Sequence, residues 1–215
     1  MPRGQTRRLG GTARRKQILD EAMRLIGKRG YHGFTVQELA ARCQLANSGL
    51  LYYFGSKEKL LIALLADRDR RDATAIASAL GLLRHEEVNR IKLTLDELRQ
   101  VLHAVVANNA KQPEILRLFN VLASEALDPD HPAHDYFLAR ETRVTEIFSK
   151  LVEPHVADPV STVRQLLSLM TGLEEQWLRT RSGFDIVAEW DKAAALLLPS
   201  APRAKPSQPR KRTAA

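Results

Sequence analysis

The stretch Leu50-Leu51-Tyr52-Tyr53-Phe54-Gly55-Ser56-Lys57-Glu58-Lys59-Leu60 decides how this chain reads. A short apolar and aromatic face, Leu50, Leu51 and Phe54, stops at Gly55. Ser56 then caps a new helix, which Leu60, Leu61, Leu64 and Leu65 extend to about Leu80. Upstream, Asn47 and Ser48 are cap formers that open the short helix, and the run Cys43-Gln44-Leu45-Ala46 before them lacks apolar period. Before that run, Thr35 offers an N-cap and Glu38 completes a capping box ahead of Leu39 and Ala40. Earlier still, Ile18, Ala22, Leu25 and Ile26 form one helical face, with Arg14, Arg15, Asp20 and Lys28 left to solvent and Gly30 and Gly33 at its end. Residues 35 to 54 are therefore two short helices around a tight turn, followed by a longer helix. That arrangement holds a second helix rigidly enough to enter a major groove. Leu50 and Phe54 are assigned to a small core with Leu25, Ile26, Leu39 and Leu45.

Beyond a charged loop near His85 to Arg90, segments 94–110, 113–127, 132–152, 159–181 and 185–198 read as amphipathic helices. Pro113, Pro132 and Pro159 sit where a first-turn proline is tolerated, Asp158 and Asp185 are caps, and Asp128 to Pro132 is a loop. Alternating β-branched runs are absent, so the fold class is all-α.

The net charge of +8 is unevenly placed. Residues 1–16 hold six bases (Arg3, Arg7, Arg8, Arg14, Arg15, Lys16) and no acid. Residues 199–215 hold five more (Arg203, Lys205, Arg210, Lys211, Arg212), which leaves residues 17–198 at −3. A basic end joined to a mildly acidic body suits a polyanion-binding module attached to a second function. The proline-rich tail from Pro199 reads as disordered. One cysteine, Cys43, excludes an internal disulfide, and no Cys/His spacing suits structural zinc. No apolar run approaches a bilayer span and no signal peptide is apparent, so a cytoplasmic protein without membrane contact is expected. Phosphate loops, nucleophile elbows, HExxH and paired-carboxylate motifs do not stand out; neither enzyme activity nor a cofactor is expected. His131 and His134, near Asp128, Asp130 and Asp135, invite a metal, but a helix-start loop using Asp and Pro as caps accounts for them, and no metal is expected.

The opening stretch resembles the TetR-family signature Leu-Tyr-x-His-Phe-x-Ser-Lys-Glu-x-Leu. Thr35 to Leu39 is similar to the Thr-x-x-x-Leu opening of that family's second helix, and Ala22 to Gly30 to its first. The resemblance covers residues 12–65. It implies a basic arm (1–11), a three-helix helix-turn-helix DNA-binding domain (12–56), a larger helical ligand-binding and dimerisation domain (57–198) and a basic tail (199–215). The function it implies is transcriptional regulation, as a repressor released by a small molecule. On this reading Thr35 and Gln37 belong to the DNA-facing second helix, where Gln37 reaches a base or phosphate. Asn47, Ser48 and Gly49 open the recognition helix, with Asn47 able to read adenine. Tyr52 and Tyr53 bond phosphates or pack in the core, and Lys57 clamps a phosphate at a helix N-terminus. Arg7, Arg8, Arg14 and Arg15, taken to precede the first helix, either follow the DNA backbone or merely solvate. Departures from the pattern are Gln44 where the turn carries glycine, Ala46 where it carries a Ser or Thr cap, and Leu51 and Tyr53 for Tyr and His. A non-glycine in a left-handed turn costs energy, and the cap is expected to move to Asn47.

For the larger domain the resemblance implies three partners: a double-stranded DNA operator, a second copy of the chain, and an unidentified effector. Polar groups interrupting apolar faces, His103, Asn108, Asn109, Asn120, Glu125 and Trp177, are the candidate effector contacts. The stripes Val163, Leu166, Leu167, Met170 and Leu173, then Ile186, Val187, Trp190, Ala194 and Leu197, are either a homodimer surface or intrachain core.

Overall fold

The computed structural model describes residues 10–79 and 92–198, all helices and connections with no strand among them. The expected loop at His85 to Arg90, most of the N-terminal arm and the basic tail lie outside the described residues. The helices are α1 (Gly11–Arg29), α2 (Val36–Arg42), α3 (Asn47–Phe54), α4 (Lys57–Ala79), α5 (Leu95–Ala110), α6 (Pro113–Glu125), α7 (His134–Val152), α8 (Pro159–Arg179) and α9 (Ile186–Leu197).

Their starts follow local chemistry. Thr94 and Glu97 form a reciprocal capping box on α5. Pro113 and Pro159 occupy the first turns of α6 and α8, and Asp158 and Asp185 accept from backbone amides of α8 and α9. Pro132 does not start a helix: α7 begins two residues later, after a turn in which the Ala133 N–H donates to His131 Nδ1. Thr35 caps α2 through the Glu38 amide, yet the reciprocal half of that box is missing, because the Glu38 carboxylate pairs with Arg29 and Arg42 instead.

Two apolar cores organise the chain. The first gathers Ile18, Ala22, Leu25, Ile26, Phe34, Leu39, Leu50, Phe54, Leu60, Leu61, Leu64 and Leu65, as the α1 to α4 pattern requires, and continues onto Leu118 and Leu122 of α6. The helix-turn-helix is thus welded to the rest through α1 on α6. The second core unites α5, α8 and α9 around Leu98, Val106, Leu166, Trp177 and Trp190. No described helix is long and apolar enough to cross a membrane.

Candidate nucleic-acid interface

The turn between α2 and α3 sets the site. Gln44 takes φ 56°, and its N–H donates to the Ala41 carbonyl while the Leu45 N–H reaches back to Ala40. These two bonds make a Schellman ending with glutamine in the left-handed place that glycine normally fills. The chain then arrives at Ala46 in extended conformation, and the Leu50 N–H donates to the Ala46 carbonyl, closing the first turn of α3. Asn47 therefore does not become the cap: it is the first helical residue, and Ala46 stands in the cap position without a side-chain bond. Gly55, at φ 81°, ends α3, and Ser56 Oγ accepts from the Lys59 amide to begin α4.

Arg14 and Arg15 do not precede the first helix; both lie inside α1. Arg14 donates to the Cys43 carbonyl at the end of α2 (3.3 Å), and Arg15 to the Tyr53 carbonyl near the end of α3 (3.0 Å), with its guanidinium 4.3 Å from the Phe54 ring centroid. Cations at helix C-termini are favourable, so this pair braces both short helices from one side. Their spacing from α2 and α3 in the sequence concealed the role. Arg42 adds a pair to Glu21 of α1.

On the outer side, Thr35, Gln37, Asn47 and Ser48 are exposed, and Gly49 is half-buried over Leu45. The tyrosines divide: Tyr52 is 86% exposed, while Tyr53 packs against the first core. Leu51 is 36% exposed. Lys57 departs from the phosphate-clamp expectation. Its ammonium donates to the Phe34 carbonyl at 2.8 Å and lies over the Tyr31 and Phe34 rings, where burial pulls its pKa below the usual lysine value. It fastens the approach to α2 onto α4.

The remaining expected contacts do not converge. His103 is exposed and paired with Asp191 beside a groove of about 320 Å³ between α5 and α9. Asn108 lines a small gap between α4 and α5, and its neighbour Asn109 is buried and donates to Glu174 (2.7 Å). Asn120 is tied to its own helix through the Leu116 carbonyl, and Trp177 belongs to the second core. The Glu125 carboxylate instead accepts the Tyr31 N–H at the α1–α6 junction. Leu166, Trp190 and Ala194 are buried within the chain, where α8 packs on α7 and α9, and α9 on α5. Met170, Leu173 and Val187 are half-buried. His131 and His134 are engaged by backbone groups, at Ala133 N–H and the Ala126 carbonyl.

Residues 18–64, which contain most of α1, all of α2 and α3 and the start of α4, match the family model for bacterial regulatory proteins of the tetR family. This segment is a TetR-type helix-turn-helix. Over 79 residues the chain is 38% identical to the HTH-type transcriptional regulator BetI of Rhizobium meliloti, covering 37% of this chain and 34% of that protein. Of the first curated relatives it matches, the chain spans only 17% to 34% of the length. Over most of its length it shares the fold of a TetR-like transcriptional regulator from Rhodococcus sp. RHA1 (TM-score 0.69, 20% identity, 88% of this chain and 96% of that one). It also shares that of AibR, solved in complex with isovaleryl coenzyme A and operator DNA (TM-score 0.64, 20% identity, 86% and 98%).

Proposed function

We propose that this chain is a TetR-type DNA-binding transcriptional regulator that works as a homodimer and represses until a small-molecule effector releases it from its operator. The observation that carries the reading is the outer row of α3. Asn47 and Ser48 have no side-chain bond among the described residues, and Tyr52 stands almost fully in solvent. Short polar groups at the start of a recognition helix suit base edges, while the Tyr52 hydroxyl suits a phosphate and the Leu51 side chain a thymine methyl. Bracing of α2 and α3 by Arg14 and Arg15 supplies the rigidity such reading needs.

A homodimer fits because one three-helix head grips a single half-site, whereas a two-fold pair grips two. Its contact surface is the outward side of α8 and α9, where Val160 and Leu196 remain exposed, and not the buried Leu166, Trp190 and Ala194. Effector release is supported by the ligand and DNA named together for AibR. A ligand that favours one tilt of the two heads over another lowers operator affinity by that preference.

Binding is tested by fluorescence anisotropy with DNA from upstream of the protein's own gene against random DNA, over a salt series. Specific, salt-sensitive binding is expected, weakened about tenfold by Asn47→Ala or Tyr52→Ala without a change in melting temperature. Equal affinity for the two DNAs would defeat the reading.

A further inference from the structure

Among the described residues four polar or charged side chains are buried, Arg68, Asn109, His131 and Glu174, and three of them neighbour one another inside the larger helical body. Arg68 lies on α4, 8% exposed, with its guanidinium carbon 3.7 Å from the ring centroid of Phe119 on α6. Its Nη2 meets Asp72 at 3.1 Å. Its Nε and Nη1 are shut off from solvent and find no acceptor among the described residues.

Of the nearby carboxylates, Asp69 is engaged through both oxygens, and Asp72 and Glu174 through one each. Asp69 takes Arg140, Arg143 and the Tyr136 hydroxyl, and Glu174 takes the Asn109 amide. Helices α4 to α8 thus meet at a buried guanidinium whose unmet groups are all donors. Buried donors in native proteins are nearly always paired, and a convergent set that is not paired marks a place built for something else. The complement of a guanidinium with free N–H groups is an oxygen anion. Asp72 also borders a gap of about 10 Å³, roughly one water, lined by Ile76, Ala104, Val105, Asn108 and Asn109.

We propose that this centre recognises the acidic head of the effector. The effector is a small carboxylate-bearing molecule whose oxygens take the free N–H groups of Arg68 and whose apolar part lies between α4 and α5 against Ile76 and Val105. This rests on the effector-released reading above and adds the ligand's chemical class. A ligand larger than the present gap parts α4 from α5, and α4 is the helix that also carries Lys57 at the reading head.

The test uses the full chain with sodium acetate as the probe, against acetamide and sodium chloride at matched ionic strength. Acetate is expected to raise the melting temperature of the wild type saturably, by about 2 °C or more, with no rise from acetamide or chloride. In Arg68→Met, which keeps the contact with Phe119, acetate has no such effect, and Arg68→Lys retains a reduced one. Should Arg68→Met fail to fold, the Arg68 Nε–H resonance of the wild type gives the same answer, by shifting with acetate and not with acetamide. Equal responses to acetate and acetamide, or an undiminished acetate response in Arg68→Met, overturn the proposal. Acetate binding at Arg68 that leaves DNA affinity unaltered overturns the effector role while leaving the acid-binding site in place.

Discussion

Glu125, on α6, accepts the backbone N–H of Tyr31 at 2.9 Å across 94 positions of sequence. The bond lands at the end of α1, next to Gly30, whose φ of 72° is open to glycine at no steric cost and where a Cβ would overlap Glu125 Oε1. Gly30→Ala is expected to lose about 1–2 kcal/mol of stability through backbone strain and displacement of that carboxylate. Glu125→Ala, which strips an acceptor from a part-buried amide, is expected to lose about 1–3 kcal/mol. Urea unfolding reads both, and unchanged midpoints would show that the junction carries no strain and no bond of consequence.

The turn of the reading head offers the opposite sign. Gln44 holds a left-handed conformation that glycine adopts freely, so Gln44→Gly is expected to stabilise the protein by about 0.5–1 kcal/mol net of the added freedom of its unfolded chain. Gln44→Ala keeps the strain and gains nothing. A melting temperature that does not rise for the glycine variant contradicts the assignment of strain to this residue.

Lys57 separates tether from clamp. Removing the bond to the Phe34 carbonyl and the two ring contacts by Lys57→Met is expected to cost about 1–2 kcal/mol in stability. A phosphate clamp would instead show undiminished stability and weaker DNA binding. Measuring denaturation and DNA affinity on the same variant decides between them.

His131 makes stability depend on pH. Burial pulls its pKa below the ordinary histidine value, opposed by the Glu125 and Asp128 carboxylates and aided by His32. Its Nδ1 accepts the Ala133 N–H, so the folded form holds the neutral ring. The unfolded chain takes up that proton near pH 6.5 and the folded chain only lower, so this contribution is complete above about pH 6.5 and declines as pH falls toward the folded pKa. His131→Leu is expected to flatten the decline between about pH 6.5 and 5 relative to wild type. Parallel stability curves for the two proteins would remove His131 from the account.

Sequence reading recovered what is local. The caps Thr35, Ser56, Asp158 and Asp185, the first-turn prolines 113 and 159, and the apolar face of α1 each act within a few residues, and the helices fall where those signals put them. It missed what depends on partners distant in the chain. That α1 would brace α2 and α3 through Arg14 and Arg15, or that Glu125 would reach Tyr31, has no trace in periodicity. An apolar stripe likewise reports that a face is covered without naming the cover, so Leu166, Trp190 and Ala194 read equally well as dimer surface or own core. Tyr52 and Tyr53 differ by one position on a short helix, and only the packing of α3 against α2 and α4 separates the exposed ring from the covered one.

Cys43 closes α2, is fully buried, and lends its carbonyl to Arg14, while burial raises its thiol pKa and keeps it in the unreactive form. It is also the chain's only cysteine. A maleimide or disulfide reagent can therefore modify the native protein only when the head breathes open, and the labelling rate becomes a clock for that opening, independent of global unfolding. On the function proposed above, operator DNA holds the short helices in place and slows such a clock, so one sulfur atom already present in the molecule reports that occupancy.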